Sequence, residues 1–196
     1  MKMEIKERQL DIIEAAGTIL TRSGVGGLTI KNLAAEMEFS ESALYRHFTS
    51  KEEIIISMLQ YLASNMDERL LFAVEKNADP ITRFQQLFES QFQFFKNNQH
   101  FVVAVFSDGL MDASSRINET TMQLMEIKGK HLFPILQEGQ KKGTFTNDVP
   151  IKDLLHIVIG SFRLQMFKWK GSNFEFDIEK RGNDITKSLL KLIIKK

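Results

Sequence analysis

The sequence contains no cysteine, which excludes disulfide staples, thiolate metal sites and cysteine nucleophiles and suits a reducing compartment. Proline is scarce, with only Pro80, Pro134 and Pro150 among 196 residues. No stretch alternates apolar and polar residues for long enough to read as strand. No apolar run reaches the roughly 18 residues a membrane-crossing helix needs, and Met1–Glu7 is charged rather than signal-like. A soluble, cytoplasmic protein is therefore expected. An excess of one charge is missing as well. The net charge is +1, and the first fifty residues hold six Lys/Arg against seven Asp/Glu. Bulk charge advertises no polyanionic partner, so any such case rests on local placement. His47, His100, His131 and His156 lie far apart, with no H-x-x-x-H or D-D-x-x-D pattern. The clusters that a metal or a helical enzyme requires are thus not written into the chain. Asp108 and Asp112 stand four apart, but "DGLMD" reads as a helix break. No enzyme, cofactor or metal is expected.

What remains is helix. Hydrophobic residues make up 43 % of the chain, enough for a real core. From Arg8 to Arg22 the set Ile12, Ile13, Ala16, Ile19, Leu20 recurs at i, i+3, i+4, i+7 and i+8, one helix face. "RSGVGG" ends it, with Gly24 suited to a left-handed position. Thr29 caps a short helix carrying Ile30, Leu33, Ala34 and Met37, and Ser40 caps another in which Leu44 and Phe48 point inward. A long helix opens in "SKEE", where Ser50 and Glu53 have capping-box spacing and Glu52 and Glu53 suit the positive end of the dipole. It is expected to run to about Lys76. Asp79 and Pro80 then read as N-cap and first helical residue. Further helices are expected at 80–97, 101–111, 114–142, 151–170 and 177–194, divided by "NNQ", "DG", "KKG", "DVP" and "GSN". The architecture expected is all-α with about nine helices: a three-helix domain over 1–50, then a larger helical domain over 51–196.

Residues 29 to 48 form two short helices joined by a tight turn, a helix-turn-helix pattern. In such units the second helix enters the DNA major groove and its N-terminal residues reach base edges. Ser40, Glu41, Ser42 and Ala43 are short enough for close approach, their hydroxyls can pair with several bases, and Ala43 can meet a thymine methyl. Tyr45 and His47 flank that surface with donors for phosphate oxygens. Thr29 and Lys51 lie at helix N-termini, which favour anions, Arg46 adds charge, and Lys31 is counted with them in the expected DNA-binding set. Taken singly, each has a plainer explanation: a satisfied core tyrosine, a helix-end Arg or His that complements the dipole, an exposed Lys pair. Taken in order, they point to DNA.

The stretch "IIEAAGTIL…G…LTIKNLAAEMEFSESALYRHFTSKEEI" resembles the DNA-binding region of the tetracycline-repressor (TetR) family of bacterial transcriptional regulators, over about residues 9 to 55. The resemblance rests on the "AA" of the first helix, the "T-x-x-x-[IL]-A" pattern of the second and "LYRHFTSKEE". It implies phosphate contacts from Thr29, Tyr45, His47 and Lys51 and base-facing positions at 40–43. The turn departs from the family's usual Gly-Val-Ser, reading Glu38-Phe39-Ser40. If the first position is left-handed, the lost glycine costs on the order of 1 kcal/mol. The change also sets a carboxylate near the DNA.

The resemblance further implies that the C-terminal part forms a homodimer and holds an inducer pocket. "LLHIVIGSFRLQMFKW" is apolar on nearly all sides, which predicts a buried helix. Ile178, Ile185, Leu189 and Ile193 stripe the last helix, and Gly160–Ser161 permits close approach. These two helices form the expected dimer interface, with packing inside one protomer as the alternative. Phe84, Phe88, Phe92 and Phe95 share one face; Phe101, Phe106, Met111, Met122, Met125, Phe162, Met166 and Trp169 add aromatic and thioether surface. From these, Phe88, Phe92, Phe95, Phe106, Met125, Phe162 and Met166 are the expected ligand-binding set, suited to a hydrophobic small-molecule inducer. Plain core is the alternative for each. Gln91, Gln165, Arg163 and His100 are the polar anchors on offer. The function expected is a ligand-responsive repressor that binds a palindromic operator as a homodimer, with the long fourth helix as lever. The rival is a helical ligand-binding or protein-interaction dimer with a weak or vestigial DNA-binding head, which the neutral charge of residues 1–50 and Glu38 favour.

Overall fold

The computed structural model describes residues 5–106 and 114–195. Nine helices are described: α1 Glu7–Gly27, α2 Ile30–Glu36, α3 Glu41–Tyr45, α4 Lys51–Ala73, α5 Pro80–Asn97, α6 Gln99–Val105, α7 Ser115–Lys141, α8 Ile151–Gly171 and α9 Ile178–Ile193. Among the described residues there is no strand; Phe145 and Ile194 form an isolated bridge. The expected "DGLMD" break and Met111 lie outside the described residues, as does the end of the helix expected over 101–111.

The helix boundaries follow from local chemistry. Within α1, Gly24 takes φ 64° and ψ −168°, a region that a side chain disfavours. Open space surrounds the position where its Cβ would sit, so backbone conformation alone demands glycine there. The hydroxyl of Thr29 accepts from Asn32 N (3.1 Å) and that of Ser40 from Ala43 N (3.2 Å), which caps α2 and α3 as expected. The box at α4 is half as written. Ser50 Oγ accepts from Glu53 N (3.2 Å), but the Glu53 carboxylate accepts from Thr49 N (3.4 Å). Asp79 accepts from Ile81 N and Thr82 N at 2.9 and 3.2 Å, which starts α5 at Pro80.

The chain packs as two compact units. The first comprises Met1–Asn65 and Asn98–Met125: α1 to α3, α4 to Asn65, α6, and α7 to Met125. Its core takes in the whole α1 face Ile12, Ile13, Ala16, Ile19 and Leu20 together with Leu33, Leu44 and Phe48. The second comprises Met66–Asn97 and Glu126–Lys196. Phe84, Phe88, Phe92 and Phe95 are all buried. Phe88, Phe92 and Phe95 each approach Phe162 of α8, with ring centroids 5.9, 5.3 and 6.2 Å apart.

Two expectations change. The helix over 151–171 is not buried all round. Leu154, Val158, Phe162, Met166 and Trp169 face the core, while Ile157, Leu164 and Phe167 stay about half exposed in the single chain. Most of the stripe on α9 also packs within its own unit: Ile178, Leu189 and Ile193 are buried beside Gly182 and Thr186, while Ile185 is half-buried. The apolar residues needed for this unit's core and the apolar residues left over lie on opposite faces, and periodicity cannot say which is which.

Candidate functional site

The first candidate surface is α3 with the residues around it. Leu44 and Phe48 are buried and anchor the helix. That leaves Ser40, Glu41, Ser42, Tyr45 and Arg46 exposed, with Ala43 and His47 half-buried. Tyr45 is 51 % exposed, so the core-tyrosine explanation does not apply. Ser40 Oγ and Ser42 Oγ lie 2.9 Å apart in a shared hydrogen bond, on the outer side of the capping interaction. The His47 carbonyl accepts from Gln9 Nε2 (3.3 Å), which ties the end of α3 to α1. Thr29 and Lys31, around the start of α2, are exposed.

Lys51 has a different setting. Its Nζ donates to the Val25 carbonyl (3.1 Å) near the end of α1, and burial lowers its pKa below the usual lysine value. An ammonium has three protons, so this bond leaves two for another acceptor. The turn before α3 departs from the ordinary as well. Glu38 takes φ 55°, with Phe39 N donating to Ala34 O and Glu38 N to Ala35 O. That pairing closes α2 with a Schellman motif, whose left-handed residue is usually glycine.

The second candidate surface is the aromatic interior of the second unit. Phe88, Phe92, Phe95 and Phe162 come together there, and Met166 is buried on the same face of α8. Phe106 and Met125 belong to the first unit and are described with it: Phe106 is buried and Met125 half-buried. Of the polar anchors, Gln91 is fully buried, and neither polar atom of its amide has a hydrogen-bond partner. His100 belongs to α6, where it stacks on Phe101 at 4.1 Å and burial lowers its pKa below the usual histidine value. Arg163 and Gln165 are half-buried on α8.

Sequence reasoning missed two cations in the second unit. Lys128 of α7 is 4 % exposed, with Nζ 3.2 Å from the centroid of the Phe162 ring. Arg69 of α4 donates through Nη1 to Ser90 O and Oγ (2.8 and 2.7 Å) and lies over the Phe94 ring at 4.3 Å. Its Nε and Nη2 are buried without partners. A signal for Lys128 did exist: it stands between Leu124 and Leu132 at four-residue steps, a charge in the middle of an apolar face. Among the described residues no group of three His, Asp or Glu is placed to hold a metal, and no helix is long and apolar enough to cross a membrane.

Comparison with known proteins gives the family and the fold. A family profile described as bacterial regulatory proteins, tetR family, matches residues 12–58. A second, described as the C-terminal region of YsiA-like proteins, matches residues 59–195. The nucleoid occlusion factor SlmA of Shewanella pealeana is 27 % identical over 163 residues, 82 % of each chain. Among solved structures, the fatty acid degradation regulator FadR of Bacillus halodurans superposes with a TM-score of 0.86 at 15 % identity, covering 96 % of this chain and 97 % of its own. The Bacillus subtilis transcriptional regulator FadR, solved in complex with stearoyl-CoA, gives 0.81 at 17 % identity, over 94 % and 98 %. The two profiles meet between residues 58 and 59, one on the helix-turn-helix and the other on the rest of the chain, and the chain therefore belongs to the tetR family of bacterial transcriptional regulators.

Proposed function

We propose that this regulator is a cytoplasmic repressor that binds a palindromic operator as a homodimer and is released by a hydrophobic small molecule. The exposed outer face of α3 carries the DNA half of that reading: Tyr45 and Arg46 stand out from a helix whose apolar side chains are already used. In this reading residues 40–43 meet bases, while Thr29, Lys31, Tyr45, Arg46, His47 and Lys51 meet the backbone rails. Support for the homodimer comes from α8, where Ile157, Gly160, Leu164 and Phe167 follow i, i+3, i+7 and i+10 on the exposed side. A single chain leaves that stripe uncovered, and a second copy of α8 matches it in length and chemistry.

The aromatic interior of the second unit and the stearoyl-CoA bound by the Bacillus subtilis relative support an inducer with a long apolar chain. Linkage sets the mechanism. A ligand that favours a head separation other than the roughly 34–36 Å between successive major grooves weakens operator binding, and the operator weakens ligand binding by the same factor.

Selection from random duplexes, followed by anisotropy titration over a range of salt, tests the DNA reading. Enrichment of a palindrome is expected. Tyr45→Ala is expected to weaken every duplex alike, and Ser42→Ala to change which sequences are preferred. Failure to bind any duplex at low ionic strength would overturn the reading and leave the interaction-dimer alternative. The SlmA relative, a nucleoid occlusion factor, favours a second reading as a chromosome-associated protein. Release from DNA by an apolar ligand separates the two.

A further inference from the structure

Two basic side chains of the second unit, Lys128 and Arg69, have no carboxylate partner among the described residues. Lys128 is almost wholly buried against Phe162, and the charged groups acting on it are Arg163 and Arg69, both cations. Arg69 keeps two guanidinium nitrogens buried and unpartnered, and burial brings its pKa down to about 10. Among the described residues no carboxylate pairs with Lys128 or with Arg69; the nearby Asp67 is engaged by Lys130 and His131 at 2.8 and 2.7 Å. Gln91, next to the Ser90 that Arg69 grips, is fully buried with both amide atoms idle. Burying one such group without a partner costs about 1–3 kcal/mol, and a charge costs more. Four helices, α4, α5, α7 and α8, supply these groups; Lys128 lies over Phe162 of the phenylalanine cluster, and Arg69 over Phe94, whose ring centroid is 5.5 Å from that of Phe95.

We propose that the second unit binds an amphipathic carboxylate with its charge inside the fold: the head held by Lys128 and Arg69 with the Gln91 amide as a further partner, and the chain lying along Phe88, Phe92, Phe95 and Phe162. This rests on the reading of the chain as a regulator with an apolar inducer, and it specifies the chemistry of the inducer's head. A neutral lipid satisfies the rings but leaves the cations uncompensated. A carboxylate satisfies both. Its negative charge favours the ammonium form of Lys128, and its two oxygens accept from the idle guanidinium nitrogens. The buried position of Lys128 selects a small head over a bulky, strongly hydrated one.

Calorimetric titration of the full chain with sodium palmitate, methyl palmitate and palmitoyl-CoA, each below its aggregation limit, tests the inference. Palmitate is expected to bind at least about tenfold tighter than its uncharged ester. Lys128→Met is expected to remove about that factor for palmitate while leaving the ester within about twofold, since only the charge pair is lost. Gln91→Leu is expected to weaken palmitate by about fivefold. If Lys128→Met does not fold, as judged by thermal melting, Gln91→Leu and the acid–ester comparison in the unaltered chain decide the matter. Equal binding of acid and ester, or full palmitate affinity in either folded variant, overturns the buried-anion site. Binding of the ester or of palmitoyl-CoA but not of palmitate overturns it too, yet leaves the apolar inducer standing. If none of the three binds while the operator still does, the inducer reading falls with it.

Discussion

Glu38 shows how one residue can work against its setting. It occupies the left-handed position of a Schellman motif at φ 55°, where a side chain costs about 1–2 kcal/mol and glycine almost nothing. Glu38→Gly loosens the unfolded chain as well, so a net gain of about 1 kcal/mol is expected in chemical denaturation. The same substitution removes a carboxylate from the face assigned to DNA, and anisotropy should show tighter binding to every duplex. A stability gain without tighter binding would place Glu38 away from the phosphates. Lys51 is the opposite case, a residue with two uses. Its bond to Val25 O fastens the start of α4 to the end of α1, and in the proposed DNA reading its remaining protons go to phosphate. Lys51→Ala is therefore expected to lower the melting temperature slightly and to reduce the slope of log affinity against log salt by about 1. An unchanged slope with a lower melting point would leave only the fastening role. The resemblance sets Glu38 in the turn before α3 and Lys51 at the start of α4, and the structure has them at those places. The Val25 bond was not legible, because it joins positions 26 apart and depends on where a flexible lysine turns.

At the scale of elements, α1 and α6 meet with almost no space between them. A Cβ on Gly17 would come within 2.8 Å of two ring atoms of His100 and 3.1 Å of its Cβ, too near the backbone for a simple rotamer change. Gly17→Ala raises helix propensity by about 1 kcal/mol, but the overlap costs about 1–3 kcal/mol. A net loss of stability is the expected outcome of denaturant titration. The same contact makes the unit sensitive to acid. Burial lowers the His100 pKa below its ordinary 6.5, so below that value the unfolded chain binds more protons than the folded one. Stability then falls as pH drops through 6.5. His100→Phe is expected to flatten the loss between pH 7 and 5, and an unaltered profile would assign the sensitivity to another group. Elements of this kind were largely legible beforehand. The caps at Thr29, Ser40 and Asp79, the break at Gly24 and the inward Leu44 and Phe48 all follow from nearest-neighbour chemistry. The buried cations were not, because periodicity shows which face is apolar and says nothing of a lysine folded into it.

For the whole molecule, the question is what covers α8. The helix carries two apolar faces, and a second copy of the chain, if it covers the outer one, accounts for both. Leu154, Val158, Phe162, Met166 and Trp169 fill the core of the protomer, while Ile157, Leu164 and Phe167 are left half exposed. Gly160, with open space around it, lies in the middle of the exposed stripe, where a second helix can approach closely. Leu192 of α9, at 76 % exposed, offers more apolar surface. If two chains pair through this stripe, Leu164→Glu buries an unpaired carboxylate in each copy of the interface, a cost of several kcal/mol. The variant is expected to sediment as a folded monomer with a helical circular dichroism spectrum unlike that of an unfolded chain. Operator binding then separates into its parts. One head on one half-site retains its base preference, but the gain from linking two sites is lost, about two to four orders of magnitude in affinity. Changing the spacing between half-sites is expected to weaken the parent chain and leave the variant indifferent. A Leu164→Glu chain that remains dimeric and still reads the spacing would move the interface off α8, and with it the reason this helix is apolar on both faces.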